Sequence, residues 1–144
     1  MKFESLINSY NKLKFKIRRT EIKEQELRAL EGFAASSGME GMPRAKSNSS
    51  SVENSVLKLT EIFSEREKLQ SELESIRQQI LSAIDMVSSF IAQEVIETKI
   101  FIQNCGWKYI SRRTGLSESH CRHLFREGVE EINKRLVDSQ WKNL

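Results

Sequence analysis

The chain has 144 residues, of which 30% are charged and 38% hydrophobic, and its formal net charge is +3. This length suits one domain, or a small domain with an extended helical appendage, and the modest hydrophobic fraction argues against a single large globular core. No apolar run approaches the roughly 20 residues that would span a bilayer, and the first residues lack the apolar core of a signal peptide, so we expect a cytoplasmic protein with no membrane partner.

The first predicted element is a helix over residues 1–31. Apolar residues recur there at intervals of three and four, as in a helix with one buried face. Thr20 and Glu24 interrupt this apolar stripe, which predicts a break or a loosely packed second half. Five cations lie within residues 12–19; the favoured interpretation is a solvated face of a partner helix, and the alternative is a second contact with a DNA backbone.

Residues 32–51 differ in composition and predict a flexible linker. They hold three of the six glycines, the only proline and six serines. This composition is typical of a loop or a disordered segment. An unstructured segment of this length is unusual inside a compact domain, so it also favours an extended, hairpin-like architecture.

A long helix is predicted next, over residues 52–95. Ser50 and Glu53 form a capping box at its start. A seven-residue repeat then defines two seam positions, occupied by Leu59, Arg66, Leu73, Ile80 and Val87 and by Ile62, Leu69, Ile76, Ala83 and Phe90. Nine of these ten residues are apolar, which is typical of a coiled-coil seam; Arg66 is the exception, and it either fixes the register or lies at a frayed end. With no glycine or proline inside it, we expect one continuous helix.

Two partners could cover this seam. The first helix could fold back through the linker, or a second copy of the chain could pair with it to give a homo-oligomer through the coiled coil. Residues 53–99 carry nine acids and five bases, whereas residues 1–31 carry eight bases and five acids. Opposite charge favours pairing but does not choose between the two partners.

Residues 96–144 predict a helix-turn-helix module. Its first helix lies before Gly106, which we expect to cap that helix and turn the chain. Gly115 suits the central turn because glycine tolerates a positive φ, and Ser117 is placed to cap the second helix. Small or apolar residues occupy the positions where two short crossing helices pack, namely Ile110, Thr114, Leu116, Cys121 and Leu124. The whole chain is therefore predicted to be all-α, with a long helical hairpin or coiled coil followed by this module.

The charge of the chain is concentrated on this module. Residues 107–126 hold five bases and one acid, a net charge of +4. A helix with donors on its solvent side fits the major groove of B-DNA, where arginine can contact guanine. The predicted base-facing residues are Ser117, Glu118, Ser119, His120, Arg122, His123 and Arg126. The predicted phosphate contacts, which position the module on double-stranded DNA, are Lys108, Arg112 and Arg113.

The same residues also allow interpretations other than DNA binding. Glu118 is unfavourable beside phosphate, so it either accepts from a cytosine amine or serves only the helix start. A helical hairpin with a solvated charged face is the alternative for the whole segment. A zinc site is disfavoured because His120 and Cys121 point about 100° apart on a helix and no Cys-x-x-Cys pair exists. With no catalytic constellation either, we expect no enzyme activity, no metal and no cofactor.

The segment from Glu97 to Leu136 resembles the C-terminal DNA-binding module of sigma factors. The resemblance is carried by a hydrophobic helix, the Gly-Trp-Lys-Tyr-Ile and Thr-Gly-Leu-Ser sequences and a basic recognition helix. The order of elements along the whole chain is similar to that of small phage regulators of the ArpU and RinA type. This resemblance implies a sequence-specific transcriptional regulator that activates late or packaging genes of a phage or prophage, with RNA polymerase as a candidate partner. Ser111 departs from the usual pattern, in which alanine is common.

Functions of two other classes compete with this one. A small terminase subunit would also recognise phage DNA through a helix-turn-helix, and it would assemble into a ring through its helical segments. An interaction adaptor would use the same helices to bind protein, and it would show no salt-dependent affinity for DNA.

Overall fold

A computed structural model of the chain describes residues 2–38, 45–102 and 105–142, with side chains described in residues 2–30, 53–102 and 105–138. Within these residues the chain forms five α-helices and no strand, so the predicted all-α class is confirmed. The helices are α1 (Phe3–Gly38), α2 (Ala45–Ile84), α3 (Phe90–Phe101), α4 (Trp107–Thr114) and α5 (Glu118–Lys142).

The predicted linker over residues 32–51 is largely helical. α1 continues to Gly38 and α2 begins at Ala45, while residues 39–44 lie outside the described part of the chain. Serine costs well under about 1 kcal/mol in a helix interior, so the serines of this segment do not stop an established helix. The predicted capping box of Ser50 and Glu53 consequently lies inside α2 and does not begin it.

The long helix predicted over residues 52–95 is interrupted. α2 ends at Ile84, and Ser89 caps the separate helix α3, with its hydroxyl accepting from the backbone N–H of Ala92 at 3.3 Å. Serine side chains compete for backbone hydrogen bonds in this way, and they can begin a new helix where no glycine or proline is present. Phe90, predicted as the last seam residue, is 80% exposed at the start of α3.

The chain divides into two compact units. Residues 11–74 form the first, named here the hairpin unit, and residues 1–10 and 75–144 form the second, named the C-terminal unit. The first turns of α1 therefore belong to the C-terminal unit, and the rest of the predicted N-terminal helix belongs to the hairpin unit. Phe3 is fully buried there, and its backbone N–H donates to Asn133 Oδ1 of α5 at 2.8 Å.

In the hairpin unit, α2 runs antiparallel to α1. Arg66 Nη2 donates to Glu24 Oε2 at 2.5 Å. The six residues between the helices can span about 25 Å at most, whereas a parallel arrangement that placed Arg66 beside Glu24 would require about 50 Å. The first helix thus packs along the seam of α2 within one chain, and the seam residues of this unit, from Leu59 to Leu73, are half-buried. Among the side chains of α1 that the structure describes in this unit, the buried residues are Leu13, Ile17 and Thr20.

The residues that interrupt the two apolar stripes contact one another in the hairpin unit. Arg66 pairs with Glu24, and its Nε donates to Thr20 Oγ1 at 3.3 Å. The Thr20 hydroxyl in turn donates to the Ile17 carbonyl at 2.6 Å. The Arg66 hydrogen bond is the main reason why the pKa of Glu24 lies below its ordinary value. α1 is continuous from Phe3 to Gly38, so a break is the wrong one of the two predicted alternatives. None of the described side chains of α1 after Thr20 is buried, which agrees with the loosely packed second half. A polar layer fixes the alignment of the two helices.

The C-terminal unit has a core built from α3, α4 and α5 together with the start of α1 and the end of α2. Its fully buried side chains include Phe3, Ile80, Val95, Ile96, Ile110, Cys121 and Ile132. α5 approaches α3 closely at Gly128, where a Cβ would lie 2.4 Å from Ile96 Cδ1. This core fixes the positions of α4 and α5, which carry the predicted DNA contacts.

Candidate nucleic-acid interface

A tight turn joins α4 to α5. Gly115 ends α4 in the left-handed conformation, with φ 76° and ψ 10°, and its N–H donates to the Ser111 carbonyl at 2.9 Å. Ser117 Oγ accepts from the His120 backbone N–H at 3.2 Å, as expected of a helix cap. Ser111, the departure from the usual pattern, donates from its hydroxyl to the Leu116 carbonyl. The predicted turn glycine and serine cap are both confirmed.

The turn lies over an apolar cluster. Val95, Ile110 and Cys121 are fully buried, and the partly buried residues packed against them are Cys105, Trp107, Leu116, Leu124 and Phe125. Thr114 Oγ1 donates to the Ile110 carbonyl at 2.8 Å and lies 3.5 Å from Cys121 Sγ. Each of α3, α4 and α5 thus contributes one residue to the centre of this cluster, so the three helices hold the turn as one body.

The histidines and cysteines are not gathered for metal binding. Cys121 is buried in the apolar cluster, while His120 and His123 are exposed on α5. In the part of the chain that the structure describes, no group of three or more His, Cys, Asp or Glu side chains could hold a metal ion. Both cysteines are free thiols.

Four predicted base-facing residues share one exposed face of α5. Successive helix residues are about 100° apart, which places these four within an arc of about 100°. They are Ser119, Arg122, His123 and Arg126. His120 is exposed about 60° beyond the arc. Glu118 is half-buried at the other margin, and the Ser117 hydroxyl is occupied as the helix cap.

Two of these side chains have partners on the same helix. Arg122 Nη2 lies 3.9 Å from Glu118 Oε2, and His123 Nε2 lies 3.0 Å from Glu127 Oε1. The Arg122 guanidinium also lies 5.8 Å from the centroid of the Trp107 ring. Exposed ion pairs of this kind are weak, so they orient the side chains without preventing another contact.

The predicted phosphate contacts on α4 divide into two groups. Lys108 and Arg112 are exposed and four residues apart, so they lie on the same side of the helix. Arg113 points elsewhere, and its Nε donates to Glu94 Oε1 of α3 at 3.2 Å. A hydrogen bond with Tyr109 and the charge of Glu94 raise the pKa of Arg113 above its ordinary value. Arg113 therefore links α4 to α3 in this structure.

Lys99 is a basic residue near this surface that sequence analysis did not identify. Its Nζ lies 4.8 Å from the centroid of the Trp107 ring and donates to the Cys105 carbonyl at 3.1 Å. Only the tertiary fold brings Lys99 to the start of α4, because it lies on the preceding helix. The role predicted for Gly106 also changes: α3 ends at Phe101 with Ile102 as its C-cap, and Gly106 is the N-cap of α4, with an ordinary φ of −91°.

A groove runs beside the exposed face of α5. Its volume is about 380 Å³, and its lining residues are Glu4, Ile7, Trp107, Arg122, Phe125, Arg126, Val129 and Glu130. Four of these residues are apolar, and the other four are two acids and two of the predicted base-facing arginines. The acids temper the positive charge of the surface that Arg122 and Arg126 form.

Comparisons of the chain with protein-family models, with curated proteins and with solved structures gave no match. Among the described residues, no helix is both long enough and apolar enough to cross a membrane.

Proposed function

We propose that the protein is a sequence-specific DNA-binding transcriptional regulator that acts in the cytoplasm. The observation that carries this proposal is the exposed face of α5. It presents Ser119, Arg122, His123 and Arg126 on a helix that is held rigidly by a turn and an apolar cluster. Rigid support matters because base recognition requires side chains at fixed positions.

The dimensions of α5 are compatible with the major groove. A helix with its side chains is about 10–12 Å across, and the major groove of B-DNA is about 12 Å wide. Arg122 and Arg126 are four residues apart, so their Cα atoms are separated by about 6 Å along the axis. Two guanidinium groups at this spacing can contact neighbouring base pairs, and Ser119 and His123 on the same face can hydrogen-bond other base edges.

Basic residues close to α5 can contact the phosphates of the DNA backbone. Lys108 and Arg112 lie together on α4, and residues 107–126 carry a net charge of +4. Phosphate contacts of this type position a protein on the duplex without reading its sequence. This arrangement supports DNA binding, and the resemblance to ArpU and RinA regulators extends the proposal to activation of late or packaging genes of a phage or prophage, with RNA polymerase as a candidate partner.

The proposed regulator acts as a homo-oligomer. One module offers about three base contacts of roughly 1 to 3 kcal/mol each, so a second copy is needed for useful specificity. Because α1 occupies the seam of α2 in the hairpin unit, a second copy would bind another surface or exchange α1 between chains. Light scattering over a range of protein concentrations distinguishes a monomer, a dimer and the larger ring expected of a small terminase subunit.

The proposed function is tested by selecting genomic fragments with the purified protein at about 0.15 M salt, where non-specific phosphate attraction is weak. An Arg122→Ala/Arg126→Ala variant serves as the control. Enrichment of sites upstream of an operon, lost in the variant, is the expected result. A single site at packaging genes, bound by a ring-shaped oligomer, would favour the terminase function. No enrichment over the variant would contradict DNA recognition and favour a protein partner.

A further inference from the structure

Two cations converge on the Trp107 ring in the C-terminal unit. Lys99 Nζ lies 4.8 Å from the ring centroid, and the Arg122 guanidinium carbon lies 5.8 Å from it. Both distances fall within the range of a cation–π interaction, in which a positive group is attracted to the face of an aromatic ring. The two cations come from α3 and α5, so Trp107 of α4 connects charges on the other two helices.

Trp107 is itself held in place. Its ring contacts that of Phe125 in an edge-to-face arrangement, with centroids 5.7 Å apart and planes at 79°. Phe125 in turn belongs to the apolar cluster beneath the turn. The tryptophan is therefore a fixed platform, and the long side chains of Lys99 and Arg122 lose less freedom on binding if they already lie against it.

The shared platform limits the distance between the two charges. Lys99 Nζ and the Arg122 guanidinium carbon can lie no more than about 11 Å apart, because their distances of 4.8 and 5.8 Å are measured from the same ring centroid. The major groove is about 12 Å wide and is bounded by the phosphates of both strands. A lysine this close to a base-contacting arginine is within reach of a phosphate at the edge of the same groove.

We propose that Lys99 is an additional DNA-phosphate contact and that Trp107 is a positioning residue that holds Lys99 and Arg122 in their DNA-binding geometry. This inference rests on the proposed DNA-binding function. The two cations on this ring have different roles: Lys99 contributes sequence-independent affinity, and Arg122 contacts a base. Lys99 is anchored for this role because its ammonium also donates to the Cys105 carbonyl beside the first turn of α4.

Lys99 is tested by the salt dependence of binding to a duplex of random sequence. Each phosphate contact contributes about 0.9 to the slope of log affinity against log salt concentration. Lys99→Ala should lower this slope by about 0.9, so that a fourfold rise in salt costs the variant about 3.5-fold less affinity than it costs the parent. Lys134→Ala, which removes an exposed lysine farther along α5, is the matched control and should leave the slope unchanged.

Trp107 is tested by comparing Trp107→Leu with Trp107→Phe. Leucine keeps apolar bulk but removes the aromatic face, whereas phenylalanine keeps a weaker face. Trp107→Leu should lower the salt slope as Lys99→Ala does and should reduce discrimination between the selected site and random DNA as Arg122→Ala does. Trp107→Phe should retain most of both. Parallel losses of slope and discrimination distinguish positioning from a general loss of stability, which circular dichroism measures separately.

The contacts of Lys99 and Arg122 with the Trp107 ring can also be examined without DNA. In a Trp141→Phe background, Trp107 is the sole tryptophan, and its emission should change in Lys99→Ala and in Arg122→Ala. An unchanged salt slope in Lys99→Ala, with the parent still binding DNA, would overturn the phosphate contact alone. A wild-type slope and wild-type discrimination in Trp107→Leu would overturn the positioning role. If the parent shows no salt-dependent binding to any duplex, the proposed function fails together with this inference.

Discussion

Replacing Gly128 by alanine tests how closely α3 and α5 approach each other. A Cβ at this position would lie 2.4 Å from Ile96 Cδ1, whereas Ile96 Cγ1 and Ala92 Cβ lie at the ordinary contact distances of 3.5 and 3.8 Å. The overlap thus involves a single methyl group. Because Ile96 is fully buried and protein interiors are densely packed, that methyl group has little space into which it can move.

Two opposing effects determine the sign of this change. Alanine stabilises a helix interior by about 1 kcal/mol relative to glycine, and overpacking a core costs about 1–3 kcal/mol. We expect Gly128→Ala to lower the free energy of unfolding by up to about 2 kcal/mol. Ile96→Val removes the overlapping methyl group at a cost of about 0.5–1.5 kcal/mol. In that background Gly128→Ala should instead raise the free energy of unfolding, by up to about 1 kcal/mol.

Urea unfolding of the parent, both single variants and the double variant, followed by far-UV circular dichroism, gives the coupling energy between the two positions. The expected coupling between Gly128→Ala and Ile96→Val is favourable, so that Gly128→Ala destabilises the parent and stabilises the Ile96→Val variant. Independent effects of the two substitutions, or a stabilising Gly128→Ala in the parent, would refute the close approach of these helices.

Three further predictions concern charge. Glu24 has a pKa below its ordinary value of about 4.5, so its contribution to stability is present above that pH and is lost as the pH falls through the lowered folded-state pKa. Arg66→Leu should therefore flatten the fall in urea midpoint between about pH 6 and about pH 3, and an unchanged fall would contradict the pairing. Glu4→Gln should strengthen DNA binding a few-fold in a fluorescence anisotropy titration, because it removes a carboxylate beside the two arginines at the groove; equal or weaker binding would contradict this surface. Lys108→Ala should lower the salt slope by about 0.9 while leaving sequence preference intact, and a changed preference would argue against a phosphate contact.

Local features of the fold could be predicted from the sequence. The seven-residue repeat identified the face of α2 that packs on α1, and Gly115 and Ser117 identified the turn between α4 and α5. Both are short-range properties, since helix periodicity and capping depend on residues only a few positions apart. Arg66 was visible as an exception in its own stripe. Its pairing with Glu24 could be recognised only when the two helices were aligned.

Contacts between residues far apart in the sequence account for the features of the structure that the sequence did not predict. The break after α2 is held by Glu131 of α5, whose Oε1 accepts from the Ser88 hydroxyl at 2.7 Å and from its N–H at 3.2 Å. Phe3 contacts Asn133 across 130 residues of sequence. Lys99 reaches Trp107 through the fold of three helices. None of these pairs leaves a periodic signal in the sequence, so the break after α2 and the membership of the C-terminal unit could not be derived from it.

The exposed face of α5 is tested most directly by the ratio of affinities for a selected site and for random DNA. We would measure this ratio at a fixed salt concentration for the parent, Arg122→Ala and Arg126→Ala. Each bidentate arginine contact contributes about 1–3 kcal/mol of discrimination, so each substitution should reduce the ratio by roughly 5-fold to 150-fold while changing affinity for random DNA much less. Equal losses of affinity for both DNAs would show that these arginines contact only the backbone and would contradict base reading by α5.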